Sequence, residues 1–503
     1  MICVLQFDSA SISLLERMLA EGALPSMAAI IDRGRRLELT TSASEFPAGA
    51  FYSLYSGIDV ADHGLVYPFQ FSPAEQRVRV ASAFPAPPAV WERLDGGRER
   101  ILVVDPYESR LPSAEQLQGL LISGWGFRER VVLPRWSCPH AAGRRLERRY
   151  GRTPGATEVF GERHPKELSR LREALLAAPA RTAALARERL AAESHDFAWI
   201  TLSSGHLGGH AFWDGSSVDR EVVLDALGES FDGALEELYG EVDAAIGAIV
   251  EALPDDADLI VTSPVGMEAN CSRTDMLPAM LEAVLSGEPA AEDGRQGGIW
   301  GLRSRVPRSL RRAVAEGIPD RIALGLTARL ETRGRDWAQT RAFAPPGDNQ
   351  GYVRLNLRGR ERLGIVEPGA EAEDLLARIR EGLESFRLEG GGPAIEAVVR
   401  TDERYEGRSL EQLPDLTVRW SASPSIGPER LVSERFGTVA RHGAGSGRSG
   451  NHTHGDAWAV LAPGAAGFNE PSRPPRIEDI GVTALELLGR EHGDLAGEPL
   501  LAR

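Results

Sequence analysis

The chain has 503 residues, 42% hydrophobic and 26% charged, which is enough for a large core in one big domain with insertions or in two domains. Its net charge of -16 excludes a general nucleic-acid binder, which needs a basic face to neutralise phosphates. Cys3, Cys138 and Cys271 are odd in number and form no C-x-x-C, so neither a disulfide framework nor a cysteine zinc site is expected.

The chain opens on "ICVLQFD" (Ile2 to Asp8), a short apolar run that predicts a strand ending in a carboxylate. "SISLLERMLAEGALPSMAAIIDRG" follows with helical spacing interrupted at Pro25. No basic region, apolar stretch and small-residue cleavage site succeed one another here, and no segment approaches about 18 uninterrupted apolar residues. A cytoplasmic protein without a membrane span is the expectation.

The further predicted strands are "RILVVD" (Arg100 to Asp105), "DFAWITLS" (Asp196 to Ser203), "DADLIVTS" (Asp256 to Ser263), "DLTVRW" (Asp415 to Trp420) and "AWAVLAPG" (Ala457 to Gly464). Each is rich in Val, Ile, Leu or Trp and bounded by Gly, Pro, Asp or Ser. A helical insertion is expected over about residues 140–195, and the basic run "GRRLERRYGR" within it reads as a solvated helix face. Residues 286–336 turn Gly- and Arg-rich and read as an insertion with helical parts. "GYVRLNLRGRERLGIV", "EDLLARIREGLESF" and "IEAVVRTDERYEG" read as a smaller α+β section. The expected fold is α/β, with a mostly parallel central sheet flanked by helices. Residues 1–285 and 411–503 supply the expected core, and 286–410 the insertion and the smaller section.

In parallel sheets functional groups gather at the carboxyl ends of strands. Candidate groups stand at several such ends: Asp8, the loop "TTSASEFPAGAFYSLYSG", His206 with His210, "TSPVGME", and "GNHTHG" with His452 and His454. Neutral imidazoles and carboxylates clustered in this way are the usual ligands of Zn²⁺. A single H-x-x-x-H pair carries little alone; its place in the ordered set favours ligation. His63 in "ADHGL" reads as a structural turn residue, Asp243 as a packing or capping group, and Trp213 as a pocket wall or core residue.

The order of these motifs resembles the type I phosphodiesterase/nucleotide pyrophosphatase family of the alkaline phosphatase superfamily. "VLQFDSASISLLERMLAEGALPSMAAI" resembles its opening strand and metal-binding Asp, and "YSLYSGIDVADHGLVY" its T-G-to-H-G segment. "GHLGGHAFW" is similar to its D-x-x-x-H metal motif, and "DADLIVTSPVGM" to its S-D-H-G-M strand and turn. "SGNHTHGDAWAVLAPG" resembles its last metal-binding His, and "DIGVTALELLG" its C-terminal helix. The resemblance implies a two-metal site, a Thr or Ser nucleophile and a covalent phospho-enzyme intermediate.

Three departures redefine that site. "EFPAGAF" holds no Ser, Thr or Cys, so the nearest upstream hydroxyls are Thr40, Thr41, Ser42 and Ser44, and Ser44 is the candidate nucleophile. Ser263-Pro264-Val265-Gly266 replaces S-D-H-G, which leaves Asp8 as the remaining ligand of the second site, with Glu45 as a candidate added carboxylate and His454 as a candidate group that orients a ligand. His206 stands in place of Asp, so that His206, His210 and His452 form a three-His site with one open position, suited to one zinc ion rather than two. A bacterial branch of the family has similar "S-H-x-x-G-H-x-F-W" segments. The expected function is metal-dependent hydrolysis of small-molecule phosphoesters, either diesters or pyrophosphate-type bonds. The alternatives are an inactive protein of the same fold that binds a ligand or partner, and a sulfatase-like or phosphoryl-transfer activity. No nucleic-acid polymer and no membrane is expected as a partner, and no stretch carries a signal for oligomeric state.

Overall fold

The computed structural model describes residues 1–106, 116–126, 136–151, 165–213, 231–290, 335–347, 349–442, 445–452 and 455–503. They fall into two compact units. The first holds Met1–His63, Ala86–Asn270 and Arg448–Arg503, and the second Gly64–Pro85 and Cys271–Gly447. Among the described residues no helix is long and apolar enough to cross a membrane.

In the first unit the strands that build the site are, in chain order, β1 (Ile2–Phe7), β2 (Arg35–Leu39), β3 (Arg100–Val104), β4 (Gln118–Ser123), β5 (Trp136–Cys138), β6 (Phe197–Leu202), β7 (Asp258–Ser263), β8 (Met267–Ala269), β9 (Gly450–His452) and β10 (Ala457–Ala462). Eight of them form one sheet in the order β2-β10-β7-β1-β6-β3-β4-β5. Neighbours from β7 through β4 are parallel, and the antiparallel pairs lie toward the two edges. Every residue of β1, β6, β7 and β10 is buried, which explains their continuous apolar runs: a parallel sheet covered on both faces has no solvent side to alternate with.

The helices that matter are α1 (Pro47–Ser56), α2 (Ser204–Phe212), α3 (Ala234–Val250) and α4 (Glu478–Leu487). One core holds Phe51 and Tyr55 of α1, Leu207 of α2, Ile480 of α4 and Trp199 of the sheet. The other holds Phe7 and Trp458 of the sheet with Tyr239, Val242 and Ile246 of α3. Ile2 pairs with Phe197 and with Asp258, and Gln6 with Thr201 and Thr262, so β1, β6 and β7 are in register. Asp8, Ser203 and Ser263 therefore reach the same edge. The expected helical insertion contains Ala142–Tyr150 and Pro165–Ala192, with residues 152–164 outside the described set. Its arginines 144, 145, 148 and 149 are exposed, and only Leu146 of the first helix is buried.

The first turn of α4 contains a buried acid. Burial, with Asp59 and Asp479 adding like charge, pushes the Glu478 carboxyl up to about 8 against Arg476, which pulls it down. Between its unfolded value near 4.5 and its folded value near 8 the folded state keeps a proton that the unfolded state has lost. Stability from this group is thus present at low pH and is lost as pH rises through that window. Glu478→Gln keeps the shape and removes the ionisation. Its melting temperature should gain on the wild type between pH 5 and pH 8.5, and a pH-independent difference would contradict the assignment.

The second unit has a four-stranded antiparallel sheet in the order Ala342–Phe343, Gly351–Leu355, Leu416–Trp420, Ile395–Arg400. Helix Ala370–Glu384 contributes Leu376 and Ile379 to its core beside Val353, Val418 and Trp420. Arg354, from the expected strand "GYVRLNL", is buried, donating to Glu361 and to the Leu413 and Glu411 carbonyls. This unit runs to Gly447 and takes in Gly64–Pro85, past the limits of 286 and 410 drawn from sequence. "DLTVRW" is a strand as expected, yet it joins this sheet: apolar periodicity identifies a strand without naming its partner. Most of the Gly- and Arg-rich insertion, residues 291–334, lies outside the described residues.

Candidate metal centre

Strand β6 ends at Leu202, and Ser203 after it is the N-cap of α2. On that helix His206 and His210 are one turn apart and share a face. Three glycines in nine residues make a poor helix, at roughly 1 kcal/mol each relative to Ala. Burial offsets this cost, since every residue from Ser204 to His210 is buried. Gly209 must be glycine because a Cβ there would stand 2.6 Å from Met267 Cγ of β8. Gly450 must be glycine because its Cβ would stand 2.3 Å from the Gly209 carbonyl oxygen. These close approaches bring α2 and β9 backbone to backbone and set the Met267 side chain of β8 against Gly209.

Strand β9 carries His452 and pairs antiparallel with β8, His452 opposite Met267. The "SPVGME" segment thus has a structural use. Ser263 Oγ donates to the Val265 carbonyl (2.9 Å), Thr41 Oγ1 donates to the Pro264 carbonyl (3.0 Å), and Gly266 N–H donates to the Gly455 carbonyl (3.0 Å). Val265 and Met267 are fully buried. The segment holds the His452 strand in place and offers no side-chain donor at Pro264 or Val265.

The three imidazoles converge, with ring centroids 4.9, 4.8 and 5.1 Å apart. His206, His210 and His452 are all buried, and their ligand atoms lie within 4.8 Å of one another. Some point therefore lies within about 2.8 Å of all three, and a small closure reaches Zn–N distances near ~2.1 Å.

Hydrogen bonds on the far side of two rings fix their tautomers. His210 Nδ1 donates to the Gly450 carbonyl at 2.9 Å, and a carbonyl can only accept. His206 Nδ1 donates to Asp8 Oδ2, also at 2.9 Å. Both Nε2 atoms of the neutral rings then carry lone pairs, and they face each other at 3.0 Å. Two lone pairs at that distance repel unless a cation or a proton lies between them. The donor set fits a divalent ion.

Asp8, expected among the ligands, has both oxygens committed to hydrogen bonds: Oδ2 to His206, and Oδ1 to Gln6 Nε2 (3.2 Å) and Ser9 Oγ (3.4 Å). It meets the cluster through the back of the His206 ring. The Phe51 ring of α1 lies parallel to the His206 ring, 6.5 Å away. Just before α1, Ser44 ends a 3₁₀ turn, half-buried, and its Oγ is 3.8 Å from where a Cβ on Gly455 would stand. Glu45, for which a solvent-facing turn is the simplest sequence reading, is buried. His454 lies outside the described residues.

Two other singled-out groups, His63 and Asp243, have partners within the protein. His63 Nε2 is 3.1 Å from Ser53 Oγ, and burial holds its pKa down to about 3. Asp243 accepts the Ser26 and Met27 amides at the start of a helix. Sequence reasoning missed Gln6 and Gly450. A lone amide inside the apolar run "ICVLQF" is a visible signal for the first, whereas the backbone approach that requires Gly450 leaves none.

A family model, type I phosphodiesterase / nucleotide pyrophosphatase, matches residues 2–422. No curated protein matches the chain in sequence. Among solved structures, phosphonoacetate hydrolase from Sinorhizobium meliloti 1021 in complex with phosphonoformate is 14% identical, with 96% of this chain and 94% of that chain covered and a TM-score of 0.47. Human ectonucleotide pyrophosphatase / phosphodiesterase 5 is 11% identical, covering 99% and 97%, with a TM-score of 0.45.

Proposed function

Because the chain belongs to the type I phosphodiesterase / nucleotide pyrophosphatase family, we propose that it hydrolyses small-molecule phosphoesters, diesters or pyrophosphate-type bonds, as a metal-dependent member of the alkaline phosphatase superfamily. His206, His210 and His452 hold one divalent ion, zinc, in this reading. The observation that carries it is the approach of the His206 and His210 Nε2 atoms to 3.0 Å, with a third buried imidazole beside them. Imidazole donors suit zinc, and three of them leave one of its four positions open. When bound, such an ion polarises a phosphoryl oxygen and stabilises the charge that builds up during displacement.

The chain's own residues do the rest. Asp8 holds the His206 ring by its Nδ1–H, and the Gly450 carbonyl holds His210 in the same way, so both present Nε2 to the centre. Pro264 and Val265 supply no donors, which favours one ion over two. Ser44 is the nucleophile in this reading: its Oγ bonds to phosphorus as the bond to the leaving oxygen breaks, and water then cleaves the phosphoserine ester. Ser44 stands directly before the start of α1, where the partial positive charge of a helix N-terminus favours an anion.

Elemental analysis of the purified full chain should find about one zinc per chain. Bis-p-nitrophenyl phosphate should be hydrolysed, the activity should fall on chelation, and added Zn²⁺ should restore it. A chain that binds zinc without turnover is a ligand-binding relative of the enzymes, and one that binds no metal overturns the reading.

A further inference from the structure

Gln6 is a polar side chain near the carboxyl end of β1, one of the sheet's central strands, fully buried between β6 and β7. An amide in that position costs several kcal/mol unless its hydrogen bonds are made, and an apolar residue would fill the strand without that cost. Its bonds are made in one orientation only. Oε1 accepts from Tyr55 Oη at 2.9 Å, from Trp199 Nε1 at 3.1 Å and from Thr201 Oγ1 at 3.4 Å. An indole N–H can only donate, so the amide atom facing Trp199 is oxygen. The amide nitrogen is thereby turned toward Asp8 Oδ1, 3.2 Å away. With Oδ1 held, Asp8 presents Oδ2 to His206 Nδ1.

We propose that Gln6 is a positioning residue for the metal centre. It acts through Asp8 and His206, and three donors in the core fix the direction in which it acts. A chain of buried groups thus runs from Tyr55, Trp199 and Thr201 through Gln6 and Asp8 to the His206 ring. The ring's rotation is thereby tied to groups in the core of the sheet. This inference rests on the three-His reading of the site.

The test is a Co²⁺ titration of the full chain, followed by the visible absorption of the bound ion, with no hydrolysis involved. Gln6→Met conserves volume and removes the donor to Asp8. It should weaken Co²⁺ binding about 10-fold or more and alter the absorption band. In an Asp8→Asn background the same change should have little further effect, because the path runs through Asp8. Wild-type affinity and spectrum in Gln6→Met overturn the proposal. So does an equal loss in both backgrounds, which would report general loosening of the core. Should Gln6→Met fail to fold, Gln6→Asn, with an amide on a shorter stem, is read through the same cycle. A wild type that binds no Co²⁺ overturns the metal reading itself, and Gln6 falls with it. Normal binding by the wild type with an unchanged Gln6 variant removes only the role of Gln6.

Discussion

His210→Ala should leave the protein without its metal and without phosphodiesterase activity. The ring supplies one of three donors, so its loss leaves two imidazoles for an ion that wants four partners. Structural zinc sites with a full donor set bind with about 10–16 kcal/mol, so one imidazole is worth several kcal/mol, or at least ~10³ in affinity. Metal content should fall from about one ion per chain to under about a tenth after gel filtration. Hydrolysis of bis-p-nitrophenyl phosphate should fall to the rate of the substrate alone. The fold should survive, because the losses are local: the Gly450 carbonyl forfeits one donor, at about 1–3 kcal/mol, in a unit with two large apolar cores. Circular dichroism on the variant checks this point. Metal retained in His210→Ala would place the ion elsewhere and would sink the three-His site.

Much of this arrangement can be read before any coordinates. Six apolar runs bounded by turn residues predict strands, and all six are strands. The position of His206 and His210 just after one such run puts both at a strand end, whereas the glycines around them read as a turn and hide the helix they stand on. The sequence is silent where the answer depends on what a group faces. Asp8 is visibly a carboxylate at a strand end, but whether it meets an ion or the back of a histidine ring depends on where Gln6 and Ser9 point. "SPVGM" is legible as a lost pair of ligands and illegible as a strand that supports His452, because the pairing partner is more than 180 residues away. The same blindness to partners separates "DLTVRW", which joins the second unit's sheet, from "AWAVLA", which joins the first.

Ser44→Ala tests the least conventional part of the reading, a nucleophile displaced upstream from the "EFPAGAF" stretch. Ser44 closes a 3₁₀ turn directly before α1, Phe51 of that helix lies parallel to the His206 ring, and Ser44 Oγ borders Gly455, three residues past His452. The hydroxyl therefore belongs to the segment that adjoins the imidazoles, directly before a helix start. Removing it deletes the attacking oxygen while leaving all three imidazoles and their partners in place. The expected result is a kcat at least ~10²-fold lower, with zinc content unchanged. Acid quenching of the wild type during turnover should trap a phosphoserine, located by mass spectrometry on the peptide that contains residue 44 and absent from the variant. Ser44→Ala with the wild-type rate would assign the attack to water. The three-His centre would then stand, and the covalent intermediate would be withdrawn from this chain.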